Sequence, residues 1–139
     1  MTTIALQDWK HSPEIIVGQN ERRRLTTAAL TDVSNEADHV DFLLYELDRA
    51  TIVDDAMLPA DVIRLGSIVR YRSATNEERS IKLVVPSEVE PAKSYRLSVT
   101  SMHGAALFGL RPNQTLSWLS PDDQVDHVEV LKVANTNGH

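Results

Sequence analysis

The spacing of apolar residues changes near Pro59, and this change constrains the fold more than any other feature of the sequence. Upstream, apolar residues recur every three or four positions, as in helices that bury one face. Downstream, they alternate with polar residues, as in strands with one buried face. Helices grouped before strands are typical of an α+β fold with a mostly antiparallel sheet.

The upstream part predicts two helices that form an antiparallel hairpin over residues 13–57. We expect the first to begin at Glu21 with Asn20 as its cap, and the second to follow the capping residues Ser34 and Asn35. The apolar stripes are Leu25, Ala28, Ala29 and Val33, then Val40, Leu43, Leu44, Leu47 and Ala50. The solvent side of the second helix is expected to hold Asp41, Glu46, Asp48 and Arg49.

Residues 58–134 predict a sheet domain that contains one short helix. Alternation occurs in "DVIRLGSIVRYRS", "ERSIKLVVP", "YRLSV", "TLSWL" and "VDHVEVLKV", with "SATNE" as a hairpin loop and Gly66 as a bulge. Ser101 is placed to cap the short helix, Ala105–Phe108 to pack it on the sheet, and Gly109 to end it.

The remaining segments carry no periodic pattern. Residues 1–12 are expected to be a flexible arm and residues 135–139 a flexible tail. Because the strands have their own apolar face, the sheet domain is expected to fold without the hairpin, which is interpreted as an appendage.

The composition narrows the classes of function. A net charge of -6 argues against affinity that comes from phosphate neutralisation, so we expect no direct sequence-specific binding of nucleic acid. The lack of cysteine excludes disulfides and thiolate sites and is typical of the reducing cytoplasm. No segment is long and apolar enough to span a bilayer. The expectation is a cytoplasmic protein with a protein partner and no membrane contact.

The titratable residues show no catalytic pattern. His103 has no Ser and Asp at a spacing that indicates a triad, and the five histidines lack the spacing of zinc ligands. We therefore predict no catalytic residue and no cofactor. Two basic groups stand out, Arg22–Arg24 and the set Arg70, Arg72 and Lys82. Each is either a solvated face or a contact for an acidic surface or RNA.

Four segments together resemble a known family: "YELDRA", "MLPADVIRLGSIVRYR", "SVTSMHGAALFGLRPNQTLSW" and "HVEVLKV". They are similar to the bacterial GreA/GreB transcription factors, and within that family to its Rnk branch of nucleoside diphosphate kinase regulators. The resemblance covers residues 13–133. It implies an N-terminal short coiled coil and a C-terminal domain of FKBP-like shape.

The resemblance also implies a partner, RNA polymerase. In the family the C-terminal domain docks at the rim of the polymerase secondary channel, and the hairpin points inward. The family's docking loop carries Ser-Pro or Ala-Pro two residues before a glycine. Here Ser101 and Met102 take those places, followed by His103 and Gly104, and Met102 stands where the family has proline. Ser101 and Met102 equally suit a helix cap and a core filler.

Asp32, Glu36 and Asp38 lie where the two helices meet. In the family's cleavage factors an acidic pair at the hairpin tip helps to hold a catalytic magnesium ion. The alternative is that the carboxylates stabilise the helix dipole and a solvated turn. We favour the alternative, because helices of this length rise only about 20 Å at 1.5 Å per residue. No metal site is therefore predicted.

Three functions follow from these expectations. The preferred one is a regulator without catalytic activity that occupies the secondary channel and competes with Gre-type factors. The second is a cleavage factor whose acidic tip supports metal-dependent RNA hydrolysis by the polymerase. The third is an interaction protein that regulates nucleoside diphosphate kinase.

Overall fold

The computed structural model describes residues 13–31, 37–90, 92–119 and 124–135. The helices are α1 (Gln19–Thr31), α2 (Ala37–Arg49) and α3 (Met102–Leu107). The strands are β1 (Ile16–Gly18), β2 (Thr51–Val53), β3 (Ile68–Ser73), β4 (Glu78–Val84), β5 (Arg96–Ser98), β6 (Thr115–Leu119) and β7 (Val125–Ala134). Short 3-10 turns cover Asp55–Met57 and Pro86–Glu88. The predicted α+β class is confirmed.

Five strands form the main sheet in the order β5-β4-β3-β7-β6. Strand β3 is antiparallel to both β4 and β7, and β6 is antiparallel to β7. Only the β4–β5 pair within this sheet is parallel. The sheet is therefore mostly antiparallel, as the grouping of helices before strands predicts. The predicted hairpin loop lies between Ser73 and Glu78, where Asn76 takes the left-handed conformation at φ 68°.

The prediction of a bulge at Gly66 is wrong. Gly66 lies in a turn before β3 at φ 91°, while the sheet register shifts between Arg70 and Tyr71 opposite β7. The predicted strand begins too early, because Ile63 exchanges hydrogen bonds with the segment around Gly109 instead of with a sheet strand. The Ile63 amide donates to the Leu110 carbonyl, and the Gly109 amide donates to the Ile63 carbonyl, each at 2.9 Å.

Two short strands join the ends of the helical hairpin. Strand β1 precedes α1, strand β2 follows α2, and the two pair in parallel with Ile16 opposite Thr51. Helix α1 begins at Gln19, so Asn20 is not its cap. The Asn20 amide instead donates to the Asp55 carboxylate at 2.8 Å. The first turn of a helix leaves its amides without a partner inside the helix. The carboxylate of Asp55, which follows β2 in the chain, accepts one of them.

One hydrophobic cluster runs through the hairpin and the sheet. Leu25, Ala28 and Ala29 of α1 are buried as predicted, and Val33 lies outside the described residues. Helix α2 packs on α3. The same cluster contains these hairpin residues and sheet-domain residues: Phe42, Leu43, Leu47, Tyr71, Leu107, Phe108, Leu116, Trp118 and Val130. The hairpin is part of the core, which contradicts the interpretation that it is an appendage.

The prediction that Glu46 lies on the exposed face of α2 is wrong. Glu46 is only 2% exposed, and its carboxylate accepts hydrogen bonds from the Arg49 side chain at 2.7 and 3.0 Å. Arg49 is half-buried and also donates to the Pro13 carbonyl at 2.8 Å. A buried carboxylate is tolerated here because a guanidinium satisfies it.

Asn135 also differs from prediction, because it is anchored rather than part of a loose tail. Its side-chain amide donates to the carbonyls of Ala60 at 2.6 Å and Val62 at 3.0 Å, and its oxygen contacts the Ser67 hydroxyl. The arm 1–12 and residues 136–139 lie outside the described residues. Within the described ranges, no helix has the length and apolar character needed to cross a membrane.

Candidate functional site

The segment Ser101–Gly104, which we call the docking segment, forms the start of α3. The Ser101 hydroxyl accepts the Gly104 amide at 3.1 Å and donates to the Ser98 carbonyl at 2.6 Å. Ser101 is thus the helix cap that the sequence predicts. The first bond closes the first turn of α3 and the second ties the segment to the end of β5, so this hydroxyl serves the fold.

Gly104 fixes how closely the docking segment approaches the sheet. It is buried, and a Cβ atom built on it would overlap the backbone carbonyl of Ser98. No side chain larger than hydrogen fits without a shift of backbone. The position of the glycine therefore determines where Met102 and His103 stand.

His103 links three strands through its ring. Its Nδ1 lies 3.1 Å from the Tyr71 hydroxyl of β3, and its Nε2 lies 3.3 Å from an Asp126 carboxylate oxygen of β7. The rings of Tyr71 and Trp118 meet the imidazole edge-on, with centroids 5.7 and 5.9 Å away. The side chain of His103 keeps 27% of its surface exposed. It is both a structural link and a part of the surface.

The donors and acceptors around His103 form a consistent chain. Arg79 donates to the Tyr71 hydroxyl oxygen at 3.4 Å. Burial raises the pKa of Tyr71 above its ordinary value of 10.0, so the phenol stays protonated at neutral pH. In the tautomer that has its proton on Nε2, facing Asp126, Nδ1 of His103 accepts the Tyr71 hydroxyl. The chain orders the docking segment and ends at Asp126, which also accepts the His127 amide at 2.8 Å.

Tyr71, Arg79 and Asp126 were missed from the sequence as members of this site. Tyr71 and Asp126 lie 32 and 23 residues from His103, and no motif joins them. The sequence carried one indication of this site, the alternation of β3, which places Tyr71 on the buried face. A buried tyrosine hydroxyl requires a hydrogen-bond partner.

Met102 is half-buried and packs against the core cluster. This packing supports the interpretation of Met102 as a core filler. Part of the Met102 side chain stays exposed, and His103 follows it in the chain. Ser101, Met102 and His103 are all half-buried, so the docking segment presents part of each side chain at the surface.

The two basic groups differ in their surroundings. Arg22, Arg23 and Arg24 are exposed on α1, and none of them makes an ion pair with another residue in the described part of the chain. Arg70 and Arg72 lie on the outer sheet face, where both pair with Glu78, at 2.6 and 3.0 Å. Arg72 also pairs with Glu129 at 3.0 Å. Lys82, the third member of this group, is half-buried and makes no ion pair with a described residue. The α1 group therefore keeps all three charges unpaired among the described residues, and the second group keeps one.

The acidic tip is only partly covered by the structure. Asp32 and Glu36 lie outside the described residues, and Asp38 falls within the range of α2. Among the residues that are described, no three His, Asp or Glu side chains come together to hold a metal ion. Each helix of the hairpin has 13 residues. At 1.5 Å per residue, that is a rise of about 20 Å.

The sheet domain and the docking segment match a known protein family. The family model described as "Transcription elongation factor, GreA/GreB, C-term" matches residues 58–135, which include the whole docking segment. The chain belongs to the GreA/GreB family. The matched part begins where the helical period ends, and it contains every strand of the five-stranded sheet.

Relatives within the GreA/GreB family extend the match to the hairpin. The regulator of nucleoside diphosphate kinase of Escherichia coli K12 is 30% identical over 122 residues, which are 87% of this chain and 89% of that protein. The transcription elongation factor GreA of Nitrobacter hamburgensis is 28% identical over 94 residues, 68% of this chain and 60% of that protein.

A solved structure supports the fold. The transcription elongation factor GreA/GreB from Nitrosomonas europaea superimposes with a TM-score of 0.65 at 30% identity, covering 88% of this chain and 99% of that chain. The mixed α+β fold is thereby that of a GreA/GreB protein. The FKBP-like shape and the coiled-coil character of the hairpin stay predictions.

Proposed function

We propose that this protein binds RNA polymerase at the rim of the secondary channel, in the cytoplasm, and competes there with Gre-type factors without doing chemistry itself. The observation that carries the proposal is the docking segment. It is held on the sheet by Gly104 and Ser101, ordered by the His103 chain, and lies within the part that matches the GreA/GreB family.

The hairpin supports occupation of the channel rather than cleavage. Its two helices of 13 residues rise about 20 Å. A cleavage factor must bring carboxylates to a metal ion deep in the channel, because hard cations require oxygen ligands at about 2.0–2.6 Å. A short hairpin fills the entrance and excludes a competitor, while its tip stops before the metal.

The relative from E. coli supports a second function. Its printed name is regulator of nucleoside diphosphate kinase, and it is 30% identical over 87% of this chain. The second proposal is therefore an interaction protein that binds that kinase. Both proposals need a protein partner, so one binding assay with two partners separates them.

The test is a pull-down of core RNA polymerase with the purified protein, in competition with GreA. We expect retention of polymerase that falls as GreA is added. Met102→Asp should lose this retention, because it places a charge at a half-buried contact. Met57→Asp is the matched control, since it makes the same change at a side chain that is 74% exposed and remote in sequence. It should bind like the wild type.

Two outcomes contradict the proposal. Undiminished polymerase binding by a folded Met102→Asp protein removes the docking segment from the interface. Retention of nucleoside diphosphate kinase, with no retention of polymerase, replaces the first proposal with the second.

A further inference from the structure

A groove lies between the hairpin and the sheet domain, away from the docking segment. Helix α1 forms one side, and the end of β4 with its 3-10 turn forms the other. Its volume is about 630 Å³. Small-molecule sites commonly have volumes of about 300–1,000 Å³. The groove is thus large enough for a metabolite and joins the two halves of the fold.

The floor of the groove is apolar. Ala28 is buried in the core, and Val85 and Pro86 are half-buried. Pro86 begins the 3-10 turn, which holds this wall in a fixed conformation. A flat or aliphatic group laid on this floor would remove apolar surface from water.

The rim of the groove consists of donors. Arg23 and Arg24 carry guanidinium groups that make no ion pair with a described residue, although the charge of Arg24 acts on nearby Glu21. The hydroxyls of Thr27 and Ser87 make no hydrogen bond within the described chain. No lining residue is acidic. Among the described residues, two guanidiniums without an ion pair and two free hydroxyls line the rim of one groove, and this set of donors favours an anion as the ligand.

We propose that this groove binds a nucleoside di- or triphosphate. The guanidiniums of Arg23 and Arg24 hold the phosphates, because a guanidinium matches phosphate oxygens with two parallel hydrogen bonds. Thr27 and Ser87 donate further hydrogen bonds, and the base and ribose cover the floor formed by Ala28, Val85 and Pro86.

The compactness of the charge favours a nucleotide over an acidic peptide. A di- or triphosphate concentrates several negative charges within one group, which suits two guanidiniums on the rim of one groove. A peptide spreads its carboxylates along an extended chain and leaves the apolar floor without a matching flat group. The ligand would contact both α1 and the turn after β4, so it would connect the hairpin to the sheet domain.

The experiment is calorimetric titration of the full chain with ADP, ATP, pyrophosphate and an oligoglutamate peptide. We expect saturable binding of ADP and ATP, weaker binding of pyrophosphate, and none of the peptide. The double variant Arg23→Ala/Arg24→Ala should raise the Kd at least about 10-fold, as expected for the loss of charge-assisted hydrogen bonds. Ser87→Ala should raise it less.

Arg22→Ala is the matched control. It removes the same charge from the exposed side of the same helix, but Arg22 does not line this groove. Arg22 lines a second groove, beside Leu47 and Ile52, and Arg23 borders both grooves. The Kd of this variant for ADP should stay close to that of the wild type, which also shows that binding is not a response to net charge alone. All substituted side chains are exposed, so thermal unfolding should confirm folded variants.

Four results overturn the proposal. They are absence of nucleotide binding, equal loss in Arg22→Ala, pyrophosphate binding as tight as that of ADP, and preference for the peptide. The last would assign the groove to an acidic protein segment instead. No polymerase is present in this assay, so its failure is separate from failure of the docking proposal.

Discussion

Phe42 of α2 packs at a tilt against Trp118 of β6, with ring centroids 5.3 Å apart and planes at 39°. Both side chains are 1% exposed. This contact joins the hairpin to the sheet, and it explains why a single core serves both. Phe42→Ala should lower the free energy of unfolding by about 3–5 kcal/mol, as is usual for a buried phenylalanine. Urea unfolding measures the change.

The control for Phe42 is Leu30→Ala, at a side chain that is 69% exposed on α1. It should change the stability by less than about 0.5 kcal/mol. A fragment that begins at Leu58 leaves Trp118 without its partner, so we expect it to lose cooperative unfolding. A cooperative transition in that fragment would restore the independent sheet domain that the sequence predicts.

Gly104 gives a second prediction. Gly104→Ala places a methyl group against the Ser98 carbonyl, which is backbone and has little room to move. Overpacking of this kind typically costs about 1–3 kcal/mol. We expect a lower unfolding midpoint and weaker polymerase retention, because α3 must shift away from β5. Alanine is the better helix former, so helix propensity alone would raise the stability, and a loss reports the contact with Ser98. Unchanged stability of Gly104→Ala would refute the close approach.

Tyr71 gives the third prediction. Tyr71→Phe keeps the buried ring but removes the hydroxyl that contacts His103 and Arg79. The expected loss of stability is about 1 kcal/mol, the usual contribution of one hydrogen bond. Tyr95→Phe is the control, because Tyr95 is 48% exposed. The NMR chemical shifts of the His103 ring should move in Tyr71→Phe and stay in Tyr95→Phe. Unmoved His103 shifts in Tyr71→Phe would mean that the hydroxyl does not order this ring.

Glu21 predicts a pH dependence of stability. Its carboxylate accepts the Leu65 amide at 3.1 and 3.2 Å. Burial raises the pKa of Glu21 from 4.5 to about 7, while the Leu65 amide and Arg64 act in the opposite direction. The folded state then binds the proton more tightly than the unfolded state. The associated stability is fully present below pH 4.5 and is lost as the pH rises through 7.

Glu21→Gln should flatten the fall in stability between pH 5 and pH 8, a fall on the order of 3 kcal/mol in the wild type. The glutamine oxygen still accepts the Leu65 amide, so the variant should fold. Burial also raises the pKa of Glu46, which leaves a residual slope of the same sign. Glu77→Gln changes an exposed carboxylate and should keep the wild-type profile. Denaturation series at each pH measure the slope, and an unchanged slope in Glu21→Gln would disprove the assignment.

The acidic tip gives the fifth prediction. Replacing Asp32, Glu36 and Asp38 together with Ala should leave competition with GreA nearly unchanged, because the proposed function needs the hairpin only to occupy space. The protein should also lower GreA-dependent cleavage of stalled transcription complexes. Should the wild type itself stimulate cleavage, and the triple variant fail to do so, the tip holds a metal ion and the preferred function is wrong.

Much of the fold was predictable because its signals are local. The stripe of α1, the alternation of the strands and the cap at Ser101 each depend on neighbours within a few residues. The errors arise where distant groups meet. Glu46 was assigned to solvent, but its buried carboxylate accepts the Arg49 guanidinium, which also donates to the Pro13 carbonyl from 36 residues away.

The candidate site stays a prediction from the resemblance, and the residues that surround it were not predictable from the sequence. The resemblance gave the docking segment, and the structure adds Tyr71 and Asp126 from β3 and β7. Strand pairing brings these residues together, and sequence spacing carries no sign of it. The strands β1 and β2 were missed for a related reason, since three residues are too few for an alternation to be recognised.

The pairing of β1 with β2 makes the length of the hairpin independent of the rest of the molecule. Both ends of the hairpin are fastened at Ile16–Gly18 and Thr51–Val53, so residues added at the tip need not disturb the base. Each helical turn added to both arms would lengthen the hairpin by about 5.4 Å. The length of the hairpin is thus a property that insertions can tune while the paired strands at its base stay as they are.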